Sequence, residues 1–297
     1  MKKNKLIQYL PLSHYKASMR VVKKLNSIGV MSILDIEDSV QNPFNLDETV
    51  HLKRKARNGF LEFVKSKDWN KNELTTPIYI RVNSINTDYF LEDIELVLEI
   101  ENYGFPIAGI FLPKVEIYDH ITKTQNLLNQ QKNNTKKLIE VIPMIETVEG
   151  VSKLENILIT DEKKQSFSKV HYGHFDYCHD AGLWPFPDPN QNLFWDLVLP
   201  IAELIFKFKK TYIHTPFPFP NNSRLFWKAS NYLQKLFEGQ HIWISTLNLE
   251  LSLSVNTQND NSIRLEKQNF STEEKLEEAR TIQKNFIATR ANKRSFA

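Results

Sequence analysis

The chain has 297 residues, 41% of them hydrophobic, enough to bury a substantial core as one large domain or two small ones. Its 38 basic and 35 acidic residues leave a formal charge of +3, too small and too evenly spread to point to nucleic acid. The single cysteine, Cys178, excludes an intramolecular disulfide framework and a cysteine-only zinc site, and fits a reducing, cytoplasmic setting. The basic start "MKKNKLIQYLPLSHY" has an apolar run cut short by Pro11, and reads neither as a signal peptide nor as a membrane span.

Short apolar runs alternate with longer amphipathic ones. The first strand candidate covers residues 5–12, and "KASMRVVKKLNSIG" follows as a helix stopped by Gly29. A second strand covers 31–38. The densest basic run, "HLKRKAR" (residues 51–57), precedes apolar residues at helical spacing and reads as a solvated helix face. Strands are expected at 77–84, 107–115, 138–146 and 169–176, with the helix "YFLEDIELVLEIENYG" after the first of them. The long helix "PNQNLFWDLVLPIAELIFKFKK" contains Pro200, expected to bend it. A strand at 211–217, the helix "SRLFWKASNYLQKLFEG" and a strand at 241–247 complete the pattern. The tracts "NQQKNN" and "NTQNDN" read as surface loops. Residues 258–270 read as a polar loop, and "STEEKLEEARTIQKNFIATRANKR" as a helix capped by Ser271 or Thr272 with Glu residues in its first turns.

Eight strands alternating with about eight helices predict an α/β fold with parallel strands, closed into a (β/α)8 TIM barrel over residues 1–257. Residues 258–297 would then form a loop and an additional C-terminal helix, packed on the barrel or on a neighbouring subunit. A doubly wound open sheet is the alternative, but no Gly-rich phosphate loop follows any strand.

In such a barrel the C-terminal strand ends form the active face. Charged residues recur there: Asp35, Glu37 and Asp38 in "LDIEDSV"; Arg81 and Asn83 in "YIRVNS"; Lys114 and Glu116 in "LPKVE"; Glu146 in "VIPMIETVEG"; His171, His174 and Asp176 in "HYGHFD". Glu146 and Asp176 come from neighbouring strands. Two oxygen donors that leave other positions to water and substrate suit Mg²⁺. Arg81 adds a planar positive fork able to hold a carboxylate or an enolate oxygen. Other readings stay open. Glu146 can pair with Arg81, Arg81 can anchor Asp38, and Asp176 can cap a helix. A zinc cluster of His171, His174, Asp176 and His179 is disfavoured, because His171 and His174 stand three apart on a strand and so face opposite ways. Nothing in the sequence places a base beside Cys178.

The segments "LDIEDSV", "KRKAR", "IRVNS", "IFLPKVE", "IPMIETVEGV", "HYGHFD" and "STEEKLEEARTI" resemble, in order and spacing, the citrate lyase beta-subunit-like (CitE-like) branch of the HpcH/HpaI aldolases. The resemblance spans residues 5–290 and is densest over 31–182. It implies a TIM barrel, Mg²⁺ held by Glu146 and Asp176, and Arg81 on the substrate's oxygen or carboxylate, with Lys114 at the substrate. Glu37 and Asp38 would stand at the pocket edge, ordering water or the Arg. It implies a carbon–carbon lyase or aldolase acting on a 2-oxo or 3-hydroxy acid, in some relatives a CoA thioester, through an enolate stabilised by the metal and Arg81. It also implies a homo-oligomer, trimer or hexamer; the charge and hydropathy patterns give neither nucleic acid nor membrane as partner.

Three departures weigh against a CoA thioester. Lys5 and Leu6 stand where the family has an Arg-Ser pair, and Leu12 follows Pro11 where it has Gly. "WISTLNLEL" replaces a His-Pro after the last strand. The chain stops at Ala297, leaving no room for the segment that covers a neighbour's site in CoA-lyase relatives. The alternative function is a catalytically altered barrel acting as a binding or scaffold protein. A metal-enolate phosphotransferase is a third, lacking the phosphohistidine domain it would need.

Overall fold

The structure, a computed structural model, describes residues 5–40, 42, 45–130, 138–183, 186–214 and 223–254. Eight strands lie where apolar, mostly β-branched runs were expected: β1 Lys5–Pro11, β2 Met31–Asp35, β3 Ile78–Arg81, β4 Ile107–Leu112, β5 Glu140–Ile145, β6 Lys169–Tyr172, β7 Thr211–His214 and β8 Ile242–Thr246. Each pairs in parallel with its neighbour in sequence, and β8 returns to β1, so the sheet is a closed barrel. The described helices are α1 Tyr15–Asn26, α2 Leu46–Ser66, α3 Phe90–Asn102, α4 Tyr118–Gln130, α5 Val148–Ser152, α6 Leu154–Lys164, α7 His174–Asp180, α8 Asn192–Lys207, α9 Ser223–Leu236 and α10 Leu249–Leu253. Helix α8 runs on through Pro200.

Strand alternation divides the core in two. Ile7, Tyr9, Ile33, Tyr79, Phe111, Met144, Ile213 and Trp243 fill the barrel interior. Leu6, Leu34, Ile80, Ile110 and Tyr172 point outward into the layer covered by Val22, Phe60, Val97, Leu158 and Ile205 of the helices. Side chains mark several helix starts: Asn45 accepts from the Glu48 N–H, Thr147 from Gly150 and Asn248 from Glu250.

The strands are shorter than the sequence patterns suggested, most of them chiefly at the C-terminal end. β2 stops at Asp35, leaving Glu37 and Asp38 in the following loop. β3 stops at Arg81, β4 at Leu112 and β5 at Ile145. β6 ends at Tyr172; Gly173 then caps α7, so Asp176 sits in the first turn of a helix and not on a strand tip. Apolar residues such as Ile36, Val82 and Val115 are buried beyond the ladder ends, which prolonged the strand-like pattern. The loop and helix expected at 258–297, and the end of the strand expected at 211–217, lie outside the described residues.

Candidate active site

The mouth of the barrel gathers charge that a strand interior could not hold unpaired. Asp35 and Arg81 are register partners at the ends of β2 and β3. Arg81 Nε and Nη2 each donate to one Asp35 oxygen at 2.7 Å, a bidentate fork. Its Nη1 lies 3.1 Å from Glu37 and 3.0 Å from Asp38. Burial alone would ease the proton off Arg81, but Asp35, Asp38 and Glu37 outweigh it and hold the guanidinium charged. Asp35 also accepts the backbone N–H groups of Glu37 and Ser39, which fixes the loop carrying the other two acids.

Lys114 follows β4 with a left-handed backbone, φ 54°. Its N–H donates to Glu146 Oε1 at 3.1 Å, while its ammonium reaches Glu37 at 2.8 Å. Burial opposes its charge, but Glu37, Glu146 and Asp176 overcome this and raise its pKa. One residue therefore ties the tips of β2 and β5 together.

Glu146 is 1% exposed, and its second oxygen, Oε2, has no hydrogen-bond partner among the described residues. Burial first, then the nearby Asp176 charge, push its pKa up to about 8, with Lys114 pulling the other way. The backbone beside it must be glycine: a Cβ on Gly173 would stand 2.5 Å from Oε2 and 2.6 Å from the Glu146 Cβ. A buried carboxylate oxygen without a donor, in the field of a second carboxylate, is an arrangement that a bound cation would satisfy. The described residues thus fit a divalent ion held by oxygen donors. Among them, no three His, Cys, Asp or Glu side chains form a ready protein cage.

The other sequence readings sort clearly. Among the described residues Glu146 makes no ion pair with Arg81; Asp35 takes that place, and Asp38 joins it as expected from the sequence. The His-rich segment does not gather a cluster. His171 lies inside the barrel 3.3 Å from the Ser245 hydroxyl, and His174 packs on Phe194 outside it. Cys178 does have a neighbour, His174, at 3.5 Å one helical turn away. Burial pushes the thiol up to about 12 and the imidazole down to about 4, so the pair is held neutral and inert.

The basic run on α2 is only partly a solvated face. His51, Arg54 and Lys55 are exposed, but Lys53 and Arg57 are buried. Lys53 Nζ donates to the Ile36 and Glu37 carbonyls and to Asn83 Oδ1, at 2.8–2.9 Å. Asn83 in turn donates to Asp93, which accepts from Arg57 Nε at 2.7 Å. This chain of bonds braces the loop that presents Glu37 and Asp38.

Residues 15–191, which carry the charged groups of the barrel mouth, match the family model described as HpcH/HpaI aldolase/citrate lyase. The chain belongs to this family. Within it, the chain is 33% identical over 129 residues to a malyl-CoA/β-methylmalyl-CoA/citramalyl-CoA lyase of Chloroflexus aurantiacus. That match takes in 42% of this chain and 35% of the relative, so it spans about a third of the relative's length. The fold is similar to a citrate lyase of Burkholderia xenovorans LB400, with TM-score 0.65, 12% identity, and 100% and 95% of the two chains covered. It is also similar to the protein CitE of Mycobacterium tuberculosis in complex with magnesium and pyruvate, with TM-score 0.63, 13% identity, and 94% and 98% covered. Among the described residues, no helix is long and apolar enough to cross a membrane.

Proposed function

We propose that this chain is a Mg²⁺-dependent carbon–carbon lyase or aldolase acting on a small 2-oxo or 3-hydroxy acid. The observation that carries this is the buried, donorless Oε2 of Glu146 within reach of the Asp176 charge. Glu146 and Asp176 would hold the ion. Once bound, it would act as a Lewis acid on the substrate's carboxylate and adjacent oxygen.

The chain's own residues would do the rest. Arg81, clamped by Asp35, keeps a fixed positive charge where negative charge grows on the enolate oxygen as the C–C bond breaks. Lys114 supplies a second cation to the acid's carboxylate. Glu37 and Asp38 hold Nη1 of Arg81 and would order water at the pocket edge. Water or a substrate group would carry the proton.

The M. tuberculosis relative complexed with magnesium and pyruvate favours a small 2-oxo acid, and the changes at Lys5, Leu6 and Leu12 weigh against a CoA thioester. Assembly as a trimer or hexamer belongs to the same proposal and is measured by sedimentation. Glu146→Ala and Asp176→Ala are expected to lose divalent-ion binding by calorimetry and to lower retro-aldol activity at least about a hundredfold, with the fold intact by circular dichroism. A wild-type chain that takes up neither Mg²⁺ nor pyruvate would sink the proposal and favour a binding or scaffold protein.

A further inference from the structure

We propose that Tyr9 is a substrate-contacting residue of this site, its phenol O–H donating a hydrogen bond to an oxygen of the bound acid from beneath Arg81. The inference rests on the lyase reading above and adds a residue that reading does not use.

Tyr9 sits on β1 with its side chain in the barrel interior, and is 7% exposed. Its ring is fully accounted for by packing. It meets Phe111 edge-on at 6.4 Å and His171 at 6.4 Å, and the Arg81 guanidinium lies 4.9 Å from its centre. The hydroxyl is different. It is buried and has no hydrogen-bond partner among the described residues. A phenylalanine would make the same ring contacts without the cost of burying an unsatisfied polar atom.

The hydroxyl is also in the right place. Tyr9 stands two residues before Pro11, the register partner of Asp35, and the Arg81 guanidinium lies over its ring, so the phenol sits directly beneath the charged mouth. Burial above all, helped by Asp35, Glu146 and Glu37 against the pull of Arg81, keeps the phenol protonated. It is therefore a neutral donor, not a base. The acceptors around it are committed: both Asp35 oxygens take Arg81 and backbone N–H groups, and Glu146 Oε1 takes Lys114. Among the described residues, two of the buried polar atoms without a partner, both near the charged groups of the mouth, have complementary needs. Glu146 Oε2 lacks a cation, and Tyr9 lacks an acceptor. An acid bound with a divalent ion satisfies both.

Tyr9→Phe tests this, since it removes one oxygen and leaves the packing unchanged. Mg²⁺ and then pyruvate are titrated calorimetrically into the full chain, and thermal melts are taken without ligand. The variant is expected to bind Mg²⁺ as the wild type does, to bind pyruvate about three- to tenfold more weakly, and to melt at the same or a higher temperature. Equal pyruvate affinity in both proteins overturns the role of Tyr9 and leaves the lyase reading standing. A lower melting temperature without ligand also overturns it, because the hydroxyl would then be serving the fold. A wild type that binds neither probe sinks the lyase reading and the role of Tyr9 with it.

Discussion

Glu146 faces different demands on its two oxygens. Oε1 takes the Lys114 N–H, and Oε2 takes nothing from the described residues. Its folded pKa of about 8 stands above the ordinary 4.5, so the native state binds this proton more tightly than the unfolded chain does. The stabilisation is full below about pH 4.5 and is lost as pH rises through 8. A shift of this size corresponds to roughly 5 kcal/mol as an upper bound. A divalent ion must displace the same proton. Its measured dissociation constant is therefore expected to fall by about tenfold per pH unit up to 8 and then level off. Glu146→Gln should flatten that profile. The isolated carboxylate at the end of an apolar run was legible in the sequence. Its missing partner was not, because no spacing rule tells whether the nearest guanidinium is already taken, here by Asp35.

Helix α2 shows how one element can be read half correctly. Thr49, Lys53, Arg57, Phe60 and Val64 recur at intervals of three or four and are all buried, so they form one stripe facing the sheet. Reading the basic run by charge density put Lys53 and Arg57 in solvent. Reading it by periodicity, with Phe60 and Val64 included, would have placed them inside. Lys53→Met leaves two backbone carbonyls and Asn83 short of a donor. It is expected to lower unfolding free energy by about 3 kcal/mol in denaturant titration. Lys55→Met, on the exposed side, should stay within about 0.5 kcal/mol of the wild type. The strand ends were misjudged for a related reason. Residues of the active-face loops, such as Ile36, Val82 and Val115, are as buried as strand residues, so hydrophobicity does not mark where pairing stops.

At the scale of the whole barrel, the architecture was the most legible feature. Eight apolar runs separated by amphipathic stretches allow few other closed topologies, and each run pairs with the next. The polar atoms inside that frame decide its acid stability. Burial, with help from Arg81, pulls His171 down to about 3. Burial lowers His174 to about 4 and takes His214 well below the usual 6.5. These histidines are neutral when folded and charged in an unfolded chain at mild acidity. Their contribution is complete above pH 6.5 and is lost as pH falls toward 3–4. Unfolding followed by tryptophan fluorescence is expected to take up protons and to set in between pH 6 and 4. The same molecule, weakly basic overall, concentrates Asp35, Glu37, Asp38, Glu146 and Asp176 around Arg81 and Lys114, with Lys53 beneath the Glu37 loop. A dication that docks there displaces the Glu146 proton and brings the positive charge that an incoming anion needs in a mouth rich in acids, which makes loading sequential: mineral first, organic acid second. Pyruvate added to chelator-treated protein should give no heat, and the same injection after Mg²⁺ should give a full isotherm.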